Sequence, residues 1–522
     1  MPQKEEAKKI LWVDDEIEHL KSHILFLEKR GFDVTAVSSG FDAIEEVKKT
    51  PFDLIFLDEM MPGMDGLATM EEIKAINPNL PVVMVTKNEE EDLMVQAIGK
   101  QITDYLTKPV NPSQVLMVAK RVLESKKIQQ NHFTRNYVEQ SNKLRMKLYG
   151  PMEPEDWIDM HRKLSQWDVE MDRNPDVGFK ESQADFRKEC NIEFCKYFEK
   201  AYPAWLKSKN HPVLSPDVVG EYVLPHLRRK QKVYFIVIDC MRYDQWLTIE
   251  PIIADYFQVE KDYYFSILPT ATPFARNAIF SGEYPDKVAE ILPEMWKDAA
   301  RTESSLNANE KELLERQLKQ KVIDLKGELR YAKVLEQREA ENLARRISTY
   351  QNVGLMAMVF NFLDLMIHGR SESEILLEIA PDESAFRSLM RSWFMHSSLF
   401  TILKYLSTVD CKVVITTDHG SILANKETTV KGRKEASTNL RYKYGDNLNC
   451  NPREVMLVKN PEDIRLPRFG VSTTYIFAKE DYYLVYPTQY HHYVSKYANT
   501  FQHGGISLEE LILPVITLTP RA

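Results

Sequence analysis

Asp418 and His419 are adjacent metal-ligating side chains in Thr416-Thr417-Asp418-His419, which stands directly after the apolar run Cys411 to Ile415, and His503 follows about eighty residues later in Gln502-His503-Gly504-Gly505. Mixed oxygen and nitrogen ligands at the end of a buried strand, completed by a distant histidine, are what a two-metal phosphoryl-transfer site requires. Two further acids have the same kind of placement: Val233 to Ile238 leads into Asp239, and Met356 to Leu363 leads into Asp364. His368 lies four residues beyond Asp364, so on a helical turn the two side chains share a face and can meet one ion. Between the first two acids comes Pro269-Thr270-Ala271-Thr272-Pro273-Phe274-Ala275-Arg276. Thr272 before Pro273 reads as a helix N-cap followed by a favoured first residue, which offers an anion free backbone N–H groups and a positive helix end. Arg276, one turn later, reads either as a hold on a nonbridging phosphoryl oxygen or as a surface salt bridge.

A second constellation occupies the first hundred residues: Asp14-Asp15, Asp58, Thr86 and Lys108. Three carboxylates brought together bind a hard divalent cation such as Mg²⁺, which lowers their mutual repulsion and shields an incoming phosphoryl group. Asp58 is then the nucleophile. Thr86 offers a hydroxyl and Lys108 a fixed cation to the new phosphoryl oxygens, and Pro109 is the place for a cis peptide.

The elements that must position these groups are legible as short apolar runs. Ile10 to Val13, Val34 to Val37, Leu54 to Leu57 and Val82 to Val85, with a weaker fifth at Thr103 to Thr107, alternate with helical patterns. Near-continuous apolar strands of this kind predict a parallel sheet covered on both faces, with its ligand crevice outside the strands' carboxyl ends. From Ser113 to Leu148 there is neither Gly nor Pro, which predicts a helix of roughly 54 Å. Residues 151 to 230 mix aromatic and charged residues at helical spacing and predict a small bundle; Trp157, His161, Trp167 and Trp205 read as its core rather than as a ligand box. The strand pattern returns at Lys232. A charged, Leu-spaced stretch (Leu306, Leu313, Leu314, Leu318, Leu325, Leu329) reads as a helical insertion over about 295–349 beside the site of Asp239, Asp364 and Asp418. The expected architecture is therefore α/β: a doubly wound domain over 1–124, a helical linker and bundle over 125–231, and a larger α/β domain over 232–522.

Composition narrows the class of partners. With 43% hydrophobic and 28% charged residues the 522-residue chain is an ordinary globular protein, and a formal charge of -9 argues against a whole-surface nucleic-acid binder. Five cysteines without a CxxC pair suggest neither a disulfide framework nor a zinc knuckle, and fit a reduced cytoplasm. The N-terminus reads as too charged for a signal peptide, and the longest apolar stretch, Leu355 to Ile367, is too short to span a membrane. A helix-turn-helix with a basic recognition helix is not evident, so a classical DNA-binding domain is not expected.

Asp14, Asp15 and Asp58, with Thr86 and Lys108-Pro109, resemble the response-regulator receiver domain. That resemblance implies that Asp14, Asp15 and Asp58 hold Mg²⁺, that Asp58 accepts a phosphoryl group from a sensor histidine kinase, and that Thr86, Tyr105 and Lys108 report it. Residues 232 to 522 resemble the alkaline-phosphatase superfamily, in particular its PglZ branch; the stretch Pro269 to Pro285 has the form Pro-Thr-x-Thr ending in Gly-x-Tyr-Pro of nucleotide pyrophosphatase/phosphodiesterases. This implies two zinc ions, one held by Asp239, Thr272, Asp418 and His419 and the other by Asp364, His368 and His503, with Thr272 as nucleophile of a phosphodiesterase. A threonine cannot be oxidised to formylglycine, which disfavours a sulfatase.

The order of domains is similar to that of the PorX group of bacterial response regulators. It implies a cytoplasmic regulator of type IX secretion that forms homodimers on phosphorylation and cleaves nucleotide or oligonucleotide phosphodiesters, cyclic ones included. It also implies contacts with a sigma factor or a secretion-motor component. The competing expectation is a catalytically silent effector in which zinc only shapes a docking surface for such partners.

Overall fold

The computed structural model describes residues 7–87, 102–175, 178–293, 307–350, 352–370, 373–432, 439–488 and 490–521. The chain divides into two compact units, Met1–Ser141 and Asn142–Ala522.

In the first unit, β1 (Lys8–Val13), β2 (Phe32–Val37), β3 (Leu54–Asp58), β4 (Val82–Thr86) and β5 (Asp104–Thr107) form one parallel sheet in the order β2-β1-β3-β4-β5. Every residue of β3 and β4 is buried, as a sheet covered on both faces requires. Helices α1 (Lys21–Glu28), α2 (Gly40–Lys49) and α3 (Gly66–Ile76) alternate with the strands. Leu54 and Phe56 face one apolar cluster while Ile55 and Leu57 face another, so the period-2 alternation of the strand separates two cores. The Gly- and Pro-free stretch forms α4 (Pro112–Leu148), a single helix of 37 residues.

The second unit, which takes in the end of α4, continues with α5 (Pro154–Arg173) and α6 (Lys180–Trp205). Trp157, His161, Trp167 and Trp205 are buried on these helices, with Trp157 edge-on to Phe194, so the expected aromatic core is present. A six-stranded sheet follows, built from β6 (Val233–Ile238), β7 (Phe257–Phe265), β8 (Glu328–Val334), β9 (Val353–Phe360), β10 (Lys412–Thr416) and a last strand, Ile512–Pro520. Two short strands, β11 (Ile422–Ala424) and β12 (Thr500–Gln502), pair antiparallel beside it, and the last strand is β13. The order is β7-β13-β10-β6-β9-β8; β10, β6, β9 and β8 run parallel, while β13 is antiparallel to both its neighbours. Three neighbouring parallel strands, β10, β6 and β9, thus bring their carboxyl ends together, and Asp418, Asp239 and Asp364 follow those ends.

The span read as a helical insertion differs from that expectation. Residues 294–306, Leu306 included, lie outside the described residues. The rest contains helix α8 (Glu310–Gln320), whose Leu313, Leu314 and Leu318 are buried against β6 and β9, and then strand β8 at the edge of the main sheet. Leu329 lies on that strand, not on a helix. An edge strand pairs on one side only, so it tolerates the charged Glu328, Arg330 and Lys333 that hid its period.

Candidate metal centre and phospho-acceptor site

The loop from Pro269 enters α7 (Thr272–Ser281), with Ala271 in the N-cap position and Thr272 as the first helical residue. The threonine is therefore not the cap that the sequence suggested, and its hydroxyl is not spent on the helix end. Instead Thr272 Oγ1 lies 3.0 Å from His419 Nε2. His419 Nδ1 lies 3.1 Å from the Gly420 carbonyl, which can only accept, so Nδ1 carries the proton and Nε2 presents a lone pair. Burial, and then the neighbouring His503, hold the His419 pKa down to about 3, so the ring is neutral.

Asp239, Asp418 and His419 are all fully buried and place one ligand atom each within 4.8 Å of one another. Asp364, His368 and His503 form a second such group. In it, His368 Nε2 and His503 Nε2 lie 3.4 and 3.6 Å from Asp364 Oδ1. Asp364 and His368 share one face of α9 (Phe362–Arg370), as their spacing predicts. The two groups meet where the rings of His419 and His503 stack, with centroids 4.2 Å apart and an interplanar angle of 15°. All seven residues expected to act on metal are thus brought to one place, and His368, half exposed, marks its open side.

The loops around this centre are fixed by their backbone. His503 Nδ1 faces the Thr270 carbonyl at 3.3 Å, Gly504 N–H donates to Thr270 Oγ1 (3.0 Å), and the Thr270 hydroxyl donates to the Gly505 carbonyl (2.9 Å). Gly505 N–H also donates to Glu510 Oε1 (2.8 Å). Gly420 must be glycine, because a Cβ there would lie 1.9 Å from the Glu509 carbonyl oxygen. Thr270, in the same Pro-Thr-x-Thr motif as Thr272, is a supporting residue that the sequence marked without revealing its role.

The donor set fits divalent metal. Asp239 Oδ1 and His503 Nε2, one from each group, are buried and have no hydrogen-bond partner among the described residues. His503 Nε2 presents a lone pair towards a carboxylate oxygen, an arrangement that a cation between them relieves. Burial raises the Asp239 pKa, with Arg276 opposing and Asp418 and Asp364 adding to the rise; a nearby dication favours the ionised form. For Asp364 burial acts the same way, but His368, His503 and His419 outweigh it and hold the pKa low.

Arg276 occupies neither of the places read from the sequence. It is fully buried, with Nε 3.0 Å from Asp418 Oδ2, Nη2 against Asp239 Oδ2 and Nη1 3.4 Å from Glu310 Oε1. A guanidinium engaged with three carboxylates is neither on the surface nor open to a substrate oxygen.

In the first unit, Asp14, Asp15 and Asp58 also group within 4.8 Å, with Asp14 and Asp58 buried and Asp15 exposed. Lys108 Nζ lies 2.8 Å from Asp58 Oδ2 and 2.9 Å from Asp14 Oδ2. Burial raises the Asp58 pKa against the lowering effect of Lys108. Thr86 is buried at the end of β4, Tyr105 is exposed on β5, and the Lys108–Pro109 peptide is cis.

Comparison with known proteins gives three family matches along the chain. A response regulator receiver domain matches residues 10–120, a PorX response regulator linker domain residues 127–206, and a BREX system PglZ alkaline phosphatase-like domain residues 218–518. The chain is similar to the transcriptional regulatory protein ZraR of Escherichia coli (strain K12), 40% identical over 102 residues, which are 20% of this chain and 23% of that protein. It is also similar to the alkaline phosphatase synthesis transcriptional regulatory protein PhoP of Bacillus subtilis (strain 168), 34% identical over 121 residues, 23% of this chain and 50% of that one. The chain thus spans between about a quarter and a half of the length of these curated relatives. Among solved structures, the receiver domain of NtrX from Brucella abortus is 32% identical with a TM-score of 0.21, covering 22% of this chain and 98% of that one. Among the described residues no helix is long and apolar enough to cross a membrane.

Proposed function

The chain belongs to the PglZ alkaline phosphatase-like family and carries, in order, a receiver domain, a PorX-type linker and the PglZ domain, and from this premise we propose that it is a two-component response regulator whose effector is a two-zinc phosphodiesterase. The observation that carries this reading is Thr272 Oγ1 against His419 Nε2, beside two ligand groups joined by the stacked His419 and His503 rings. A docking surface alone needs no hydroxyl at that point. We read the domains as 1–124, 125–231 and 232–522.

Asp239, Thr272, Asp418 and His419 would hold one ion, and Asp364, His368 and His503 the other. When bound, the pair supplies Lewis acidity to the attacking and leaving oxygens. The chain's own residues do the rest. Thr272 Oγ1 forms a bond to phosphorus as the bond to one alcohol breaks, and that alcohol leaves with the proton Thr272 gives up. Water then splits the phosphothreonine, restoring the threonine and releasing a phosphomonoester. Thr270 and Glu510 hold the loops of the nucleophile and of His503 in register throughout.

On the same reading, a sensor histidine kinase phosphorylates Asp58 with Mg²⁺ held by Asp14, Asp15 and Asp58, and Thr86, Tyr105 and Lys108 relay the change to a homodimer. Nucleotide or oligonucleotide diesters, cyclic ones included, are the substrates. Control of type IX secretion, with a sigma factor or motor component as partner, is the proposed context. The test is hydrolysis of a chromogenic bis-phosphodiester and of short cyclic oligonucleotides by the zinc-loaded wild type. Turnover supports the enzyme, whereas two bound ions without turnover on any diester leave the docking effector as the better reading.

A further inference from the structure

Behind the first ligand group lies a buried chain of charges. Arg276 reaches Asp418 with Nε (3.0 Å) and Asp239 with Nη2, and uses Nη1 for Glu310 Oε1 (3.4 Å). Glu310 is buried at the start of α8, and its other oxygen meets Lys333 Nζ (3.2 Å) and the Tyr331 hydroxyl, both from β8. Lys333 in turn donates to the Asn307 carbonyl (3.1 Å). The segment 307–334 therefore reaches beneath the metal centre and fixes the guanidinium from behind.

The geometry divides the labour of each acid. Asp239 gives Oδ2 to Arg276 and leaves Oδ1 facing His419 Nε2 at 3.6 Å. Asp418 gives Oδ2 to Arg276, while Oδ1 faces the Cys240 N–H at 3.4 Å. Two buried carboxylates this close repel unless a cation stands between them, and a planar fork with several donors can serve both while a third donor is held elsewhere. Arg276 meets that requirement with no metal present.

We infer that Arg276 is a built-in counter-cation and positioning residue for the first ligand group: it keeps Asp239 and Asp418 together in the metal-free chain, and its charge limits how tightly that group takes a divalent ion. Glu310 moderates the same charge from the far side. The inference rests on the two-zinc reading, and it gives two substitutions effects of opposite sign. Arg276→Met leaves the acids opposed until metal arrives and removes a like charge from the ion's neighbourhood, so zinc binds more tightly. Glu310→Gln keeps the side-chain shape and one of its two acceptor oxygens but leaves Arg276 less compensated, so zinc binds more weakly.

The test uses the full chain, stripped of metal and titrated with Zn²⁺ alone against a chromophoric chelator, with thermal unfolding followed at each step. The expected results are zinc uptake at the first group tightened by roughly tenfold or more in Arg276→Met and weakened in Glu310→Gln. The rise in melting temperature on saturation should be larger in Arg276→Met than in wild type, and Arg276→Lys should lie nearer wild type because it keeps the charge. A residue with only a packing role would lose stability equally with and without zinc. Wild type that binds no zinc sinks the two-zinc reading and this inference with it; wild type with two ions and an Arg276→Met variant of equal or weaker affinity sinks the inference alone. Should Arg276→Met stay insoluble even with zinc, Glu310→Gln decides: weaker uptake supports the inference, and unchanged or tighter uptake overturns it.

Discussion

Thr272 Oγ1 stands 3.0 Å from His419 Nε2, and because His419 Nδ1 faces the Gly420 carbonyl, it is the threonine that donates in this contact. The oxygen's lone pairs are left for an electrophile. Thr272→Val preserves the shape of the first residue of α7 and removes the hydroxyl, so diester hydrolysis should fall by roughly 10³-fold or more. Zinc content should remain two per chain or lose one weakly held ion, since Asp239, Asp418 and His419 are intact. Thr272→Ser should stay within about tenfold of wild type, because it keeps an equivalent nucleophile. Steady-state rates on a chromogenic diester, read with metal analysis of the same samples, check this; equal rates for valine and threonine would remove Thr272 from the chemistry.

Lys108 stands between Asp58 and Asp14 in the receiver, at 2.8 and 2.9 Å. Without it two buried carboxylates face each other, so Lys108→Met should lower the melting temperature in the absence of Mg²⁺ and show a larger gain than wild type when Mg²⁺ is added. Asp58→Ala removes the acceptor itself. It should take up no label from a small phosphodonor, and the dimer expected of wild type on the same treatment should be missing in sedimentation. Dimers that still form in Asp58→Ala would place the switch elsewhere.

The acids at strand ends were legible in the sequence because parallel strands buried on both faces read as apolar runs, and the first acid after each run marks the crevice. Asp14, Asp58, Asp239 and Asp418 are all of this kind. Strand β8 was not legible: with one sheet neighbour it carries Glu328, Arg330 and Lys333, the last out of phase with the other two and breaking the period, and the leucines alone suggested a helix. Arg276 was misplaced for a different reason. Its partners come from elements 34 and 142 residues away, and no local spacing signals that a charged residue on α7 will be sealed among them. The support from α6 is equally non-local, since Arg187 and Glu509 are 322 residues apart.

That support yields a prediction about the linker helix. Asn191 on α6 accepts from the Leu508 N–H (2.8 Å) and donates to Glu509 (3.0 Å), while the Tyr202 hydroxyl accepts from the Leu268 N–H (3.1 Å). One helix therefore holds both the loop after His503 and the loop before Thr272. Asn191→Ala and Tyr202→Phe each strand a buried N–H, at a cost of about 1–3 kcal/mol. Because both loops loosen, kcat should fall in each variant while KM changes little, and phosphoryl uptake at Asp58 should be unaffected. Denaturant unfolding with a kcat and KM series separates this from simple destabilisation: a pure loss of folded protein would lower the active fraction without changing turnover per folded molecule.

His161, on α5, carries the pH dependence most open to test. Burial first, then the charge of Arg187, pushes its pKa down from 6.5 to about 3, with Glu509 and Asp244 opposing and Arg242 adding to the shift. Neither ring nitrogen has a hydrogen-bond partner among the described residues. The folded chain keeps the ring neutral while the unfolded chain protonates it below pH 6.5, so the unfolded state binds more protons in the window from 6.5 to 3. Stability is full above that window and falls as the pH drops through it, by up to about 1.4 kcal/mol per pH unit. His161→Leu removes the titrating group and keeps an apolar side chain beside Tyr243. Urea unfolding of the metal-loaded chain at several pH values from 7 to 4 should therefore give a steeper acid limb for wild type than for His161→Leu. Other groups titrate in both proteins and cancel in the difference. Parallel limbs would mean that His161 is protonated or solvated in the folded chain, and that the core of the linker bundle is wetter than its packing implies.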